Sequence, residues 1–173
     1  MSDPPSIATA PRMSLGNMRS QDVLTAQYNP ADLKRIVTVN YARLGVLGFS
    51  SEVLQYQFRP NEKLSFTLKF DRLSQGGGTP SYATVAGTLD AMTVGSRAAQ
   101  DIASGGPPDV LLLWPGVLQM VVRLTKIEYD HERYAVTDGT PTFFAAKVDV
   151  EESRTNRLFA EDIKQNGLFR SGT

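Results

Sequence analysis

Lys63-Leu-Ser-Phe-Thr-Leu-Lys-Phe-Asp71 alternates without a break: Leu64, Phe66, Leu68 and Phe70 share one parity, and Lys63, Ser65, Thr67, Lys69 and Asp71 the other. A period of two sustained this long is the signature of a strand with one dry face and one wet face. Each large apolar group on the dry face gains roughly 1.5 to 3 kcal/mol when fully buried, so this strand is a main support of the expected core. A slip of one residue in its pairing would turn all four to water, which fixes its register.

Downstream, Ser74-Gln-Gly-Gly-Gly-Thr-Pro-Ser81 reads as a long loop, because three adjacent glycines and Pro80 suit neither helix nor strand. A phosphate cradle would need Gly-Lys-Ser/Thr opening a helix, and no Lys follows these glycines. From Tyr82 to Ala103, Val85, Leu89, Met92 and Ile102 recur at near-helical spacing, which predicts one helix ending near Gly105-Gly106-Pro107-Pro108. Val110-Leu-Leu-Leu-Trp114 is a short apolar run closed by Pro115-Gly116 and predicts a strand buried on both faces. A long β segment follows from Val117 to Asp130. Leu118, Met120, Val122 and Leu124 lie on one parity and Ile127 and Tyr129 on the other, so a bulge is expected near Thr125 and Lys126. Asp130-His131-Glu132-Arg133 reads as a tight polar connection and Tyr134-Ala-Val136 as a strand stub. Thr137-Asp-Gly-Thr-Pro141 is a turn, and Phe143 to Glu151 returns as a strand with Phe144, Ala146, Val148 and Val150 inward.

Upstream, residues 1–22 mix Pro, Ser, Gly and charges with no lasting period, and are expected to form a flexible arm. Val23 to Asn29 is a short β-prone run closed by Pro30, and Leu33 to Leu47 reads as a second strand. The tally is mainly β: an antiparallel six- to seven-stranded barrel or sandwich with one inserted α-helix, and no βαβ alternation. The expected organisation is an arm over 1–22, a barrel domain over 23–152 and a charged tail over 153–173. The tail's apolar residues, Leu158, Phe159, Ile163, Leu168 and Phe169, are too few for a core of their own.

The 173-residue chain contains no Cys and a single His, which excludes thiolate metal sites, disulfide scaffolds, cysteine nucleophiles and multi-histidine centres. No cofactor or metal is expected. Eighteen basic and eighteen acidic side chains cancel, with pI ≈ 6.6, so no whole-chain field draws the protein to nucleic acid or anionic lipid. Lys34, Arg35, Lys63, Lys69 and Arg72 with Tyr28, Tyr41 and Phe66 could imitate a single-strand-binding platform, but these aromatics read as core. The N-terminus lacks an apolar run behind a basic start, and no apolar stretch exceeds Val110–Trp114, so neither a secretory signal nor membrane insertion is expected. Paired carboxylates occur at Glu151-Glu152 and Glu161-Asp162, the first on opposite strand faces and the second in the tail. Asp71, Asp90, Asp101 and Asp109 lack calcium-loop spacing. His131, between Asp130 and Glu132, is the one residue on which an acid–base site could be built, and no Gly-x-Ser-x-Gly motif partners it.

Three stretches in fixed order resemble the N-terminal domain of the contractile injection system tube protein family, whose members are related to phage tail tubes. Gln27-Tyr28-Asn29-Pro30 is similar to the family's opening motif. The strand Leu64 to Asp71, ending Phe70-Asp71, is similar to the one preceding its variable loop and helix. Asp138-Gly139-Thr140-Pro141, leading into Phe144 to Glu151, resembles its closing segment, and Trp114 falls where the family places a buried strand ending in Trp. The resemblance covers residues 23–152 and carries no LysM module.

What the resemblance implies is a non-enzymatic, tail-tube-type subunit forming a ring, expected as a homohexamer. The ring would act as a baseplate hub or tube initiator that adapts a central spike to the inner tube. Expected partners are the chain itself, a spike or hub protein, an inner tube protein and baseplate wedge proteins, with assembly in the cytoplasm into a phage-tail-like particle. Gln75, Gly76, Gly77, Gly78 and Thr79 of the long loop are the expected ring or stacking contacts. Two other readings stand beside this one: an inner tube protein of the same kind of particle, able to carry effectors, and a small ligand-binding or hydrolytic barrel using Asp130, His131 and Glu132.

Overall fold

The computed structural model describes residues 11–45, 47–48, 50–73, 80–95 and 106–154. In chain order the elements are β1 (Ser14–Asn17), β2 (Val23–Thr25), β3 (Leu33–Ile36), β4 (Asn40–Leu44), β5 (Val53–Phe58), β6 (Lys63–Asp71), α1 (Tyr82–Ala91), β7 (Val110–Trp114), β8 (Leu118–Tyr134) and β9 (Pro141–Glu152). Seven strands form one antiparallel sheet in the order β2-β1-β7-β8-β9-β6-β3, while β4 and β5 pair only with each other.

β6 behaves as its alternation predicts: Leu64, Phe66, Leu68 and Phe70 are all buried and the opposite parity is wet or half-covered. It pairs along its whole length with β9, from Lys63↔Glu151 to Asp71↔Phe143. This register puts Phe70 opposite Phe144, their rings stacked 5.2 Å apart, and Phe66 opposite Val148. Phe144, Ala146, Val148 and Val150 are buried as expected.

β8 also carries the expected bulge. Its ladder with β9 steps from Leu124↔Val150 to Lys126↔Asp149, leaving Thr125 over, and the Thr125 hydroxyl donates to the Asp149 carbonyl at 3.0 Å. The extra residue switches parity, so Leu118, Val122 and Leu124 before it and Ile127 and Tyr129 after it all meet the same core. α1 closes that core with Val85 and Leu89, and Met92 just past its end joins them, all three fully buried. Ser81 caps it by accepting the Thr84 amide, and the Tyr129 hydroxyl ties it to β8 by donating to Asp90 at 2.8 Å.

The sheet is sandwich-like and is not a closed barrel, because the terminal strands β2 and β3 do not pair. A single bridge, Tyr28↔Lys69, brings the chain beyond β2 back to β6.

Several expectations are corrected. Residues 1–10 lie outside the described residues, but Met13 and Leu15 are core and Ser14–Asn17 pair with β2 and β7, so the second half of the expected arm is sheet. Leu33 to Leu47 is two strands in two sheets, not one. β5 was given no element by its sequence. α1 ends at Ala91 instead of Ala103: the Met92 and Thr93 amides turn to carbonyls three residues back, and the Thr93 hydroxyl takes up the Asp90 carbonyl. Asp130 to Arg133 continues β8 instead of forming a connection, and β7 is fully buried only on the face of Val110 and Leu112. Ile102, the loop residues Gln75 to Thr79, Glu161-Asp162 and the tail from 155 lie outside the described residues.

Candidate functional site

The residues singled out in the sequence do not gather at one place. Gln27 meets Asp71, Tyr28 bridges Lys69, and Asn29 turns to the chain ahead of β1. The Gln27 side-chain amide donates to the Asp71 carbonyl at 2.8 Å and accepts the Asp71 amide at 2.7 Å, so one side chain imitates a strand partner for the end of β6. Asn29 works the same way on the incoming chain, accepting from the Met13 amide at 2.8 Å and donating to the Pro11 carbonyl at 3.0 Å. The Gln27 contacts tie the chain beyond β2 to β6, where no ladder joins them, and the Asn29 contacts fix the approach to β1. Phe70 lies in the core beside them. Trp114 and the Asp138-Gly139-Thr140-Pro141 turn sit at opposite ends of β8. In that turn Gly139 has φ +67°, and the Asp138 carboxylate accepts from the Thr140 amide and hydroxyl, which holds its pKa below the ordinary aspartate range.

His131 stands on β8 among rings: Tyr82 at 4.5 Å in an edge arrangement and Tyr134 at 6.3 Å. Asp130 faces the other side of the strand and Glu132 is an exposed residue at a bulge, so neither forms a relay with the imidazole. Tyr129 is neutral here, because burial first and the Asp90 carboxylate second push its ionisation far upward. Among the described residues no group of three or more His, Asp or Glu is placed to hold a metal ion.

The β4–β5 region has the clearest surface character. β3 and β4 run on into each other, as do β5 and β6, making one long ribbon whose inner half lies in the main sheet and whose outer half, β4–β5, projects alone. Every residue of β5 is exposed, and so are Tyr41, Arg43 and Leu44 of β4. Paired residues share a face: Tyr41 with Tyr56 and Arg43 with Leu54 on one side, Ala42 with Gln55 and Leu44 with Val53 on the other. The Tyr41 and Tyr56 rings meet edge-on at 6.1 Å, beside a shallow groove lined by Val39, Arg43 and Leu54. Tyr28 and Tyr41 are exposed where core was expected, whereas Phe66 is buried as read.

At the elbow between the two halves sits Glu62, almost fully buried. Arg35 of β3 grips its carboxylate with two hydrogen bonds, at 2.6 and 2.9 Å, and Arg59 and Arg154 add their charges. Burial alone would raise the Glu62 carboxyl, but the Arg35 hydrogen bond and the three guanidinium fields hold it below the ordinary glutamate range. Glu152 joins from the end of β9, pairing with Arg154; its amide donates to the Glu62 carbonyl at 2.8 Å, and its carboxylate accepts from the Glu62 amide at 3.4 Å. Sequence reading missed both the hairpin and this elbow. The period-two run Leu54, Tyr56, Phe58 was a usable signal for β5; the elbow joins residues 35, 59, 62, 152 and 154, and nothing local announces it.

A family model described as contractile injection system tube protein matches residues 10–160. No curated protein matches the chain. Among solved structures, a chain from the tail of an empty GTA particle, determined by helical refinement with C6 symmetry, is similar at 12% identity and TM-score 0.43, over 87% of this chain and 96% of that one. A chain of the anti-feeding prophage baseplate, determined by cryo-EM and six-fold symmetrised, is similar at 10% identity and TM-score 0.40, over 89% of this chain and 95% of that one.

Proposed function

This chain belongs to the contractile injection system tube protein family, and from that premise we propose that it is a structural ring component of such a particle, a hub or tube initiator seated between the central spike and the inner tube. The observation that carries the reading is the extent of the family match, which takes in every described strand and α1. The projecting ribbon supports it, since an apolar element exposed on both faces suits a subunit that is finished only on assembly.

The proposed mechanism is geometric. The sheath supplies the work of firing, and this ring passes axial force through contacts between subunits while its inner rim forms part of the path along which cargo leaves. No bond is made or broken, and the lone imidazole among aromatic rings is a packing residue. The ring is proposed as a homohexamer, assembled in the cytoplasm, with a spike or hub protein, an inner tube protein and wedge proteins as its neighbours.

Co-expression with the neighbouring spike protein, followed by native mass spectrometry and negative-stain imaging, tests this. A closed ring that caps the spike is the expected result. A subunit that stays monomeric and never joins particles would overturn the reading. Copy number then separates hub from tube, because a hub contributes one ring per particle and a stacked tube contributes many.

A further inference from the structure

We infer that Leu158 and Phe159 of the chain's own C-terminal segment dock in the groove on the Tyr41 face of the β4–β5 ribbon, so that the free subunit carries its own cover for that face. The inference stands apart from the ring reading, since it concerns one chain before it meets any partner. The groove, about 400 Å³, is lined by Val39, Tyr41, Arg43 and Leu54, with Tyr56 beside Tyr41. Tyr56 is exposed by 60%, Leu54 by 57%, Tyr41 by 51% and Val39 by 40%. Scattered exposed apolar residues need no explanation; a set gathered around one concavity does. Charge does not recruit an outside ligand here. Arg43 and Glu52 are the only charged residues between Asn40 and Phe58, and they pair with each other at 3.1 Å, so the groove has no free field for phosphates or anionic headgroups. One face of a two-stranded ribbon is also too small for a separate protein, which needs roughly 800 Å² from each side of a stable contact. A segment of the same chain faces no such threshold, because its tether replaces the entropy cost of association with an effective concentration in the mM range.

The point where the described chain stops decides which segment that is. The Glu152 amide donates to the Glu62 carbonyl at 2.8 Å, the Ser153 amide donates to the Val121 carbonyl at 2.9 Å, and the Arg154 guanidinium stands 3.6 Å from the Glu62 carboxylate. Residues 155–173 therefore start from the elbow at the ribbon's base. Their first apolar pair, Leu158-Phe159, lies four and five residues beyond Arg154, which is roughly 13 to 17 Å of extended chain. Tyr56 lies six residues before Glu62, at most roughly 20 Å along the ribbon. The two lengths match to within a side chain. Leu168-Phe169 would have to close a loop about three times as long, at a greater cost in chain entropy. Anything else that uses this face must first displace the pair, so the tail sets when the face becomes available.

The test uses the full chain, which has no cysteine of its own, with one thiol introduced on the groove wall by Arg43→Cys. At a concentration where sedimentation shows monomer, this thiol is expected to react with maleimide about fivefold or more slowly than in the same chain carrying Leu158→Ser with Phe159→Ser, while the two proteins melt within a few degrees of each other. Leu168→Ser with Phe169→Ser is expected to leave the protection in place. A second readout keeps both anchors. Arg43→Cys with Ala160→Cys should close an intramolecular disulfide about tenfold faster than Arg43→Cys with Ser171→Cys, at a rate independent of protein concentration. Equal maleimide rates with and without the apolar pair, or equal disulfide rates in the two thiol pairs, overturn the docking. Protection that grows with protein concentration puts a second copy in place of the tail, and protection lost only with Leu168 and Phe169 puts other anchors in place of the named ones; either result overturns the inference as stated.

Discussion

Glu62 carries its charge at 2% exposure, a position tenable only because Arg35, Arg59 and Arg154 surround it. Removing one partner of such a cluster leaves charge without its counterion. Glu62→Gln is therefore expected to lower the unfolding free energy by about 2 to 3 kcal/mol; a fully dry pair would lose more, and these arginines keep 21% to 32% of their side chains in water. The pH dependence has a fixed sign. The folded carboxyl is more acidic than the unfolded one, so its stabilisation is complete above the ordinary value of 4.5 and is lost as pH falls through the depressed folded value. Urea titrations from pH 7 to 3 should show the parent losing stability below pH 4.5 more steeply than Glu62→Gln; equal slopes would remove Glu62 as the source. Two glycines give a second, opposed pair. Gly139 sits at φ +67° in the β8–β9 turn, so Gly139→Val costs about 1 to 2 kcal/mol although nothing stands within 4 Å. Gly87 lies within α1 with open space around it, so Gly87→Ala should raise the melting temperature by the equivalent of about 0.5 to 1 kcal/mol. Identical responses at the two sites would deny the positive φ its role.

At the scale of elements, β6 bears the most. Phe66 is 2% exposed opposite Val148, so Phe66→Asp buries an unpaired carboxylate and should cost more than about 4 kcal/mol, read as lost near-ultraviolet dichroism at room temperature. A folded variant would overturn the facing of the whole strand. Tyr129→Phe is gentler: it removes the bond to Asp90 that fastens α1 to β8 and should cost about 1 kcal/mol in urea unfolding. These elements were legible from sequence because each is buried on one face only, and one-sided burial writes a period of two. The bulge at Thr125 was legible for the same reason, since a parity switch has no other cheap cause. β1 was not: four residues carry too little pattern, and β7, which holds it, pairs Val110 with Asn17 from far along the chain. Asp130 to Arg133 misled because β8 reaches the rim of the core there, and a strand half-covered only at His131 looks like a turn. In the 33–47 run, Ile36, Val37, Val39 and Tyr41 are chemically core residues, and composition cannot say that they stand 40% to 51% exposed. The family resemblance singled out Gln27 and Asn29 but said nothing of the backbone groups they hold, and the hairpin shows only in its exposure.

The whole molecule divides into a part that is finished and a part that is not. β6, β8 and β9 share one core with α1, whereas β4 and β5 rest on a single ladder with exposed side chains on both faces. Local stability follows burial of the backbone and its neighbours, so the two parts should open with different free energies. Native-state hydrogen exchange on the free subunit measures this directly. Amides of β6, β8 and β9 are expected to exchange only through global unfolding, with a denaturant dependence equal to that of the whole protein. Amides of the β4–β5 ladder, from Leu44↔Val53 to Tyr41↔Tyr56, should open with less than about 2 kcal/mol and almost no denaturant dependence. On assembly the second set should slow toward the first, because the surface that was missing has been supplied. A hairpin already as protected as β9 in the free subunit would mean that the ribbon is complete without a partner.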